Sequence, residues 1–272
     1  MRRIVSAILI SCLLAALALL QKGSVPSVKA SSSIYQGDLV LEGNTVATIE
    51  GRFNINGNIQ VEENATLYVK NAVVNLTQTR DFEYDITFRN PINGNPRLLA
   101  TNATITSNYR FLIWFYDNST GTFTNCTITN LNAYDCSNIS ILESTVKSLW
   151  VAGNSQARLS NSKIIEGISL SGYNKVWLIN STYGWHYMDF AAPRIYVAWY
   201  LNAHIVDLTD QDVPLANVTV TYQNGTLADS KLTEANGWTN FTLTEKMIDS
   251  YGSHPVGNYT VTATYEIHTE YE

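Results

Sequence analysis

Val176-Trp177-Leu178-Ile179-Asn180-Ser181-Thr182-Tyr183 is the last of six copies of one short pattern: apolar, any, apolar, any, Asn, small, any, apolar. Val176 and Leu178 share one face of an extended strand, and beyond Asn180 the inward parity passes to Ser181 and Tyr183. Such a change of parity is a corner. Asn tolerates left-handed backbone better than most residues, so it suits a bend between two short strands.

The copies centre on Asn71, Asn102, Asn125, Glu143, Asn161 and Asn180, at steps of 31, 23, 18, 18 and 19 residues. The residue after each corner is small (Ala72, Ala103, Cys126, Ser144, Ser162, Ser181), and three positions beyond it stands Val74, Ile105, Ile128, Val146, Ile164 or Tyr183. One coil cannot bury such a face, whereas stacked coils form a continuous core, the logic of a solenoid. Asn71, Asn102, Asn125, Asn161 and Asn180 are therefore read as structural corner positions whose amides stack from coil to coil. The three shorter steps define the basic coil, and the two longer ones contain insertions.

Each full coil holds a further strand, read from Leu131/Ala133, Leu149/Val151 and Ile168/Leu170, with Gly153, Gly167 and Gly172 as punctuation. Three short strands per coil make a parallel β-helix. Left-handed β-helices also run near this period, but their strict hexapeptide rhythm is missing and parallel crossovers favour the right hand. Earlier, less regular turns are read at Ile49, Phe53/Ile55 and Ile59/Val61, behind an amino-terminal cap near residues 34 to 48.

The chain opens Met1-Arg2-Arg3, runs apolar from Ile4 to Leu20, and reaches Val28-Lys29-Ala30 before Ser31. This predicts a signal peptide over 1–30, cleaved after Ala30, with an uncleaved anchor as the alternative. The location expected is extracellular or at the cell surface. The formal net charge is -6, and losing Arg2, Arg3, Lys22 and Lys29 with no acid takes it to -10, which argues against nucleic acid as a partner. Membrane attachment is expected only through an uncleaved signal or an anchor downstream of the sequence. Cys126 and Cys136 are candidates for a disulfide, with two buried thiols as the alternative. Among the Asn-x-Ser/Thr sequons, those at Asn102, Asn125 and Asn180 fall on corners and are not expected to carry sugar. Asn64, Asn75, Asn118, Asn138, Asn217, Asn224, Asn240 and Asn258 are the candidate N-glycosylation sites.

After Phe190 the strands lengthen and alternate, with Ala191-Ala192-Pro193 as the joint. Ile195 to Val206 reads as one long strand. Val218, Val220 and Tyr222 are read as inward, as are Tyr259, Val261, Ala263 and Tyr265. The fold class is thus all-β: a right-handed parallel β-helix over 34–190, then a small antiparallel β-sandwich over 193–272 that is read as stopping short of its last strand.

Three stretches of the second unit carry a resemblance: Asp207-Leu208-Thr209-Asp210-Gln211-Asp212-Val213-Pro214-Leu215-Ala216-Asn217-Val218, Thr233-Glu234-Ala235-Asn236-Gly237-Trp238-Thr239-Asn240-Phe241, and Gly257-Asn258-Tyr259-Thr260-Val261-Thr262-Ala263. They resemble the signature stretches of carboxypeptidase regulatory-like domains, prealbumin-like relatives of the Ig fold, with Gln211 and Asn217 standing where that family has Gly. The resemblance implies a stalk or spacer without catalytic residues. The two halves together are similar to secreted, right-handed β-helix repeat proteins of archaeal and bacterial cell surfaces.

Polygalacturonase-like hydrolases need paired carboxylates, and their Asn-Thr-Asp, Asp-Asp, His-Gly and Arg-x-Lys signatures are absent. Asp81, Glu83 and Asp85 alternate along a strand-like insertion and form the one candidate metal cluster, for Ca²⁺, against the plainer reading of solvated loop charge. His186, His204, His254 and His268 are scattered, which argues against a soft-metal site. Trp114, Phe115, Tyr116, Trp150, Trp177, Trp185 and Tyr187 offer a candidate row for stacking sugar rings, or else fill core and junction. The leading function is a non-enzymatic surface protein, the β-helix acting as a rigid rod or binding surface and the sandwich as spacer, with no resident cofactor. Cell-surface polysaccharide or other surface-layer proteins are the expected partners. A polysaccharide lyase or hydrolase and a glycan-binding adhesin are the competing functions.

Overall fold

Parity explains the first unit of the chain, and Thr66–Leu76 shows how. Leu67 and Val69 point inward, the chain turns at exposed Lys70 and Asn71, and Ala72, Val74 and Leu76 then point inward from the opposite parity. A computed structural model describes residues 27–29, 34–189 and 191–265. It divides into two compact units, residues 1–129 and 130–272, and contains no helix among the described residues. Parallel β-solenoid coils build the first unit and much of the second, about nine turns in all. Of the segment read as a signal peptide only Ser27–Lys29 is described, as a strand parallel to Thr48–Glu50.

In the first unit the coils stack in three parallel columns. One column runs through Leu39–Leu41, Ile59–Glu62, Ile86–Arg89 and Leu112–Phe115. The second runs through the first half of Val46–Asn56, the first half of Thr66–Leu76, Arg97–Thr101 and Thr120–Thr124. The third joins the second halves of those long strands to Thr104–Ser107 and the start of Thr127–Ala133. Phe88 and Phe115 stack face to face inside, with centroids 4.6 Å apart, and Phe123 meets Phe115 edge-on. Each such buried ring contributes about 1.5 to 3 kcal/mol.

The second unit stacks Asn138–Leu142, Gln156–Ser160, Lys175–Ile179 and the start of Arg194–His204 in one column. Thr145–Gly153, Lys163–Gly172 and Thr182–Met188 stack beside them. Here the further strand of each coil is not separate: it continues through a bulge after Val146 and after Ile164, so one long strand serves two faces. Arg194–His204 has two roles. Its start lies parallel to Lys175–Ile179, and its whole length pairs antiparallel with Trp238–Asp249, which turns back into Gly252–Pro255.

A small three-stranded antiparallel sheet follows, Leu227–Leu232, Asn217–Tyr222 and Tyr259–Thr264. Its Val218 and Val220 pack on Phe241 together with Leu201, Ala203, Ile205, Leu243 and Tyr259. Val261, Ala263 and Tyr265, read from alternation as inward, are exposed. Their strand lies at the sheet edge, and Tyr259 alone of the set is packed, its hydroxyl donating to the Thr244 carbonyl at 2.7 Å.

Candidate functional site

The corner residues Asn71, Asn102, Asn125, Glu143, Asn161 and Asn180 all have positive φ, between 45° and 52°. Asn102 Nδ2 donates to Asn71 Oδ1 and Asn125 Nδ2 to Asn102 Oδ1, each at 2.9 Å; in the second unit Asn180 Nδ2 donates to Asn161 Oδ1 at 2.8 Å. These amides form their ladder on the exposed side of the corner. Directly inside it lies a second ladder, buried. Ser162 Oγ accepts the Ser144 N–H at 3.1 Å and donates to Ser160 O at 2.7 Å, while Ser181 Oγ accepts the Ser162 N–H at 3.0 Å and donates to Ile179 O at 2.8 Å. At Ser144, Ser162 and Ser181 the position read as merely small carries a hydroxyl relay, whereas Ala72 and Ala103 hold it as alanine.

Cys126 takes the equivalent place in the first unit, and no disulfide joins it to Cys136. Its buried thiol donates to Thr124 O at 3.2 Å and accepts from the Ala103 amide, the relay geometry with sulfur in place of oxygen. Cys136 is exposed on a turn. Burial pushes the Cys126 thiol up from its ordinary pKa.

Asp81, Glu83 and Asp85 do not alternate along a strand: Thr79 to Tyr84 are turns and bends, with Phe82 at φ 58°. Each carboxylate takes its own backbone partner. Glu83 Oε2 accepts from Thr79 N at 2.6 Å, Asp81 Oδ1 from Arg110 N at 2.9 Å, and Asp85 Oδ1 from Leu112 N at 3.0 Å. Asp81 and Asp85 staple the insertion to the next coil, while Glu83 closes its own turn. The Thr79 amide holds the Glu83 carboxyl below its usual range. Among the described residues no group of three or more His, Cys, Asp or Glu is placed to hold a metal.

Of the candidate glycosylation sites, Asn64, Asn118, Asn138, Asn217, Asn224, Asn240 and Asn258 are exposed. Asn75 is half-buried and donates from Nδ2 to Asn54 Oδ1 at 3.2 Å. His186, His204 and His254 stand apart, His204 on Asp212 at 2.8 Å and His254 on Asp249 at 2.9 Å; His268 lies outside the described residues.

The aromatics split into structural and open groups. Phe115 is core, Trp114 stacks on Tyr116 at 5.4 Å, Trp150 meets Tyr134 edge-on, and Trp177 stacks on Tyr196 at 5.7 Å. Trp185 and Tyr187 differ, being 54% and 63% exposed. Their strand, Thr182–Met188, ends its column: among the described residues it pairs only with Lys163–Gly172. Where the preceding coil turns Ile164, Ile168 and Leu170 inward, this one has Tyr183, His186 and Met188. Apolar side chains there would face no further coil. Instead His186, Tyr187 and Met188 line an open cleft of roughly 340 Å³ with Asp249, Ser250, Tyr251 and Gly252 from the turn between Trp238–Asp249 and Gly252–Pro255.

That turn is well fixed. Asp249 Oδ1 accepts the Tyr251 N–H at 2.8 Å and lies 2.9 Å from His254 Nε2, a contact that holds the Asp249 carboxyl below its usual range. The Tyr183 hydroxyl lies 3.5 Å from His186 Nδ1, and burial pushes its pKa up. Neither a family model, a curated protein nor a solved structure matches the chain. The cleft therefore has to be read from its own chemistry: exposed ring faces beside a fixed carboxylate and an imidazole.

Sequence reading put Trp185 and Tyr187 in a longer row but had no signal for the cleft. Asp249, at the end of a strand, and Tyr251, in the turn after it, lie about 60 residues further along the chain, and the antiparallel pairing of Arg194–His204 with Trp238–Asp249 brings them back.

Proposed function

We propose that the chain is a non-enzymatic structural and recognition protein of the cell exterior. Its coils act as a rigid scaffold, its C-terminal antiparallel part as an Ig-like spacer of the carboxypeptidase regulatory-like kind, and the open cleft as a place where a partner is held. The observation that carries this reading is how the repeated polar side chains are used. The Asn amides bond to one another, the Ser hydroxyls bond to backbone, and the Asp81 and Asp85 carboxylates staple an insertion to the next coil while Glu83 closes its own turn. A coil repeat whose polar groups serve stacking is suited to persistence and display. Export is supported by the leader-like opening and by the exposure of most candidate sequons.

The test is turnover. Purified protein is incubated with acidic and neutral polysaccharides, with and without Ca²⁺, while reducing ends and unsaturated sugars are followed. No product is expected, and a chelator is expected to leave the unfolding midpoint where it was. Calcium-dependent release of unsaturated sugar would overturn the proposal in favour of a lyase.

A further inference from the structure

The geometry points to a binding site for a neutral glycan at the Trp185–Tyr187 face and the cleft beside it. This rests on the recognition role proposed above and gives it a ligand class. The first observation is the seat of Trp185. A Cβ built on Gly167 would come within 2.4 Å of Trp185 Cδ2 and 2.6 Å of Cε2, the two atoms of the bond shared by the indole rings. Contact at that central bond means that the ring face, not its edge, covers Gly167. One face of the indole thus rests on backbone, where no side chain intervenes, and the side chain is still 54% exposed. A large aromatic plane held this way pays little ordering entropy when a ligand lies on it.

The second observation is what stands next to it. Trp185 and Tyr187 pair with Gly167 and Ser169, so they share the outward parity of their strand, about 6.6 Å apart by strand rise. That spacing offers two ring platforms on the scale of consecutive sugar residues. Tyr251, 88% exposed, lines the cleft together with Tyr187, and Asp249, Ser250 and His186 add hydrogen-bonding atoms to its lining. Sugar rings present apolar C–H faces and polar rims, which matches a site made of ring faces and a few fixed polar groups.

The third observation selects among glycans. Asp249 is a carboxylate held in its ionised form by His254 and the Tyr251 amide, and the chain as a whole is acidic at -6. A uronic or sulfated sugar entering the cleft would meet like charge in the Asp249 carboxylate, which Arg194 and His254 offset in part, on a chain that is acidic as a whole. Neutral hexose or N-acetylhexosamine chains would not.

The test is calorimetric titration of the whole protein with hexasaccharides of β-1,4-glucan, β-1,3-glucan, β-1,4-mannan and chitin, with polygalacturonate as the acidic comparator. At least one neutral chain is expected to bind, with Trp185→Ala weakening it about tenfold or more and Tyr187→Ala less, both variants keeping the wild-type unfolding midpoint within a few degrees. Gly167→Ala would crowd both the indole and the Trp185 carbonyl oxygen, 2.6 Å from the added Cβ, so its loss of binding counts only if its unfolding midpoint stays at that of the wild type. If Trp185→Ala were to unfold the protein, Tyr187→Ala and Tyr251→Ala still decide the matter, because both side chains are largely in solvent. No binding of any neutral chain, unchanged binding in all the ring variants, or preference for polygalacturonate would each overturn the inference. Product release in the same titrations would instead overturn the non-enzymatic reading, so the two failures are distinguishable.

Discussion

Replacing Ser162 by Ala removes one oxygen atom from the second unit and breaks the buried relay in its middle. Ser162 Oγ accepts the N–H of Ser144 at 3.1 Å and donates to Ser160 O at 2.7 Å, and both Ser144 and Ser162 are almost wholly buried. Without the hydroxyl, the Ser144 N–H loses its acceptor in a place water does not reach. Such an orphaned donor costs about 1 to 3 kcal/mol, far more than the average net value of the bond itself. The carbonyl of Ser160 loses less, because the Glu143 N–H also donates to it at 3.0 Å. For a chain of this size about 2 kcal/mol lowers the unfolding midpoint by roughly 4 to 8 °C. The assay is thermal unfolding of wild type, Ser162→Ala and Ser162→Cys side by side. A thiol can take over the acceptor role, as Cys126 does from the Ala103 amide, so Ser162→Cys is expected to fall between the other two. A Ser162→Ala midpoint equal to wild type would refute the relay, and a Ser162→Cys loss as large as that of Ala would refute the equivalence with Cys126.

Asn161 has φ 50°, so Asn161→Ala is expected to cost about 1 to 2 kcal/mol in left-handed backbone strain, whereas Asn161→Gly, which relieves the strain but loses the exposed amide bond from Asn180, should cost about 0.5 kcal/mol. Equal losses in urea unfolding would show that the amide and not the backbone governs the corner. Glu143 has φ 51° without the tolerance of Asn, so Glu143→Asn is expected to raise stability by about 0.5 kcal/mol, and a loss in the same urea series would mean that the carboxylate has a stabilising role of its own. Acid is expected to destabilise the fold. Glu83, Asp189, Asp207, Glu245 and Asp249 all bind protons less tightly folded than unfolded, so their contribution is full above the ordinary carboxylate range and is lost as pH falls through and below about 4. An unfolding midpoint flat between pH 6 and pH 3 would contradict it.

The coil architecture was legible because a corner leaves two marks in sequence that nothing else leaves together. A strand keeps its inward parity until the backbone turns left-handed, and the residue that turns must be one that tolerates positive φ. Asn provides the second mark, Val176/Leu178 giving way to Ser181/Tyr183 the first. Another set of turns was largely missed for the same physical reason. At Gly43, Glu63, Asp117, Asp135 and Gly153 the chain also has positive φ, each inside a tight turn closed by an N–H to the carbonyl three residues back. These positions themselves vary among Gly, Glu and Asp; the mark they share lies beside them, in Asn44, Asn64, Asn118 and Asn154 and in the small Thr45, Ala65, Ser119, Ser137 and Ser155, so only Gly153 stood out. The exposed Val261 and Ala263 were misread because alternation gives two faces and does not say which of them another layer will cover.

The cleft was hidden for a deeper reason: it exists where the repeat stops repeating. Within the stack, inward positions are apolar because the next coil covers them, and the pattern can be read from any one copy. In Thr182–Met188 the same positions hold Tyr183 and Met188, half-buried, and His186, exposed. The chain then leaves the column through Arg194–His204, and the turn at Asp249 to Gly252 returns beside the open end. A column end must be protected or used, since an open strand edge invites pairing with other chains. Here the end is faced with a fixed carboxylate, which water solvates well, and with the rings of Trp185 and Tyr187, whose open apolar faces suit a polar, ring-shaped ligand. Two of the residues that replace apolar inward positions at this end, His186 and Met188, are thus among those that line the cleft proposed to hold a partner.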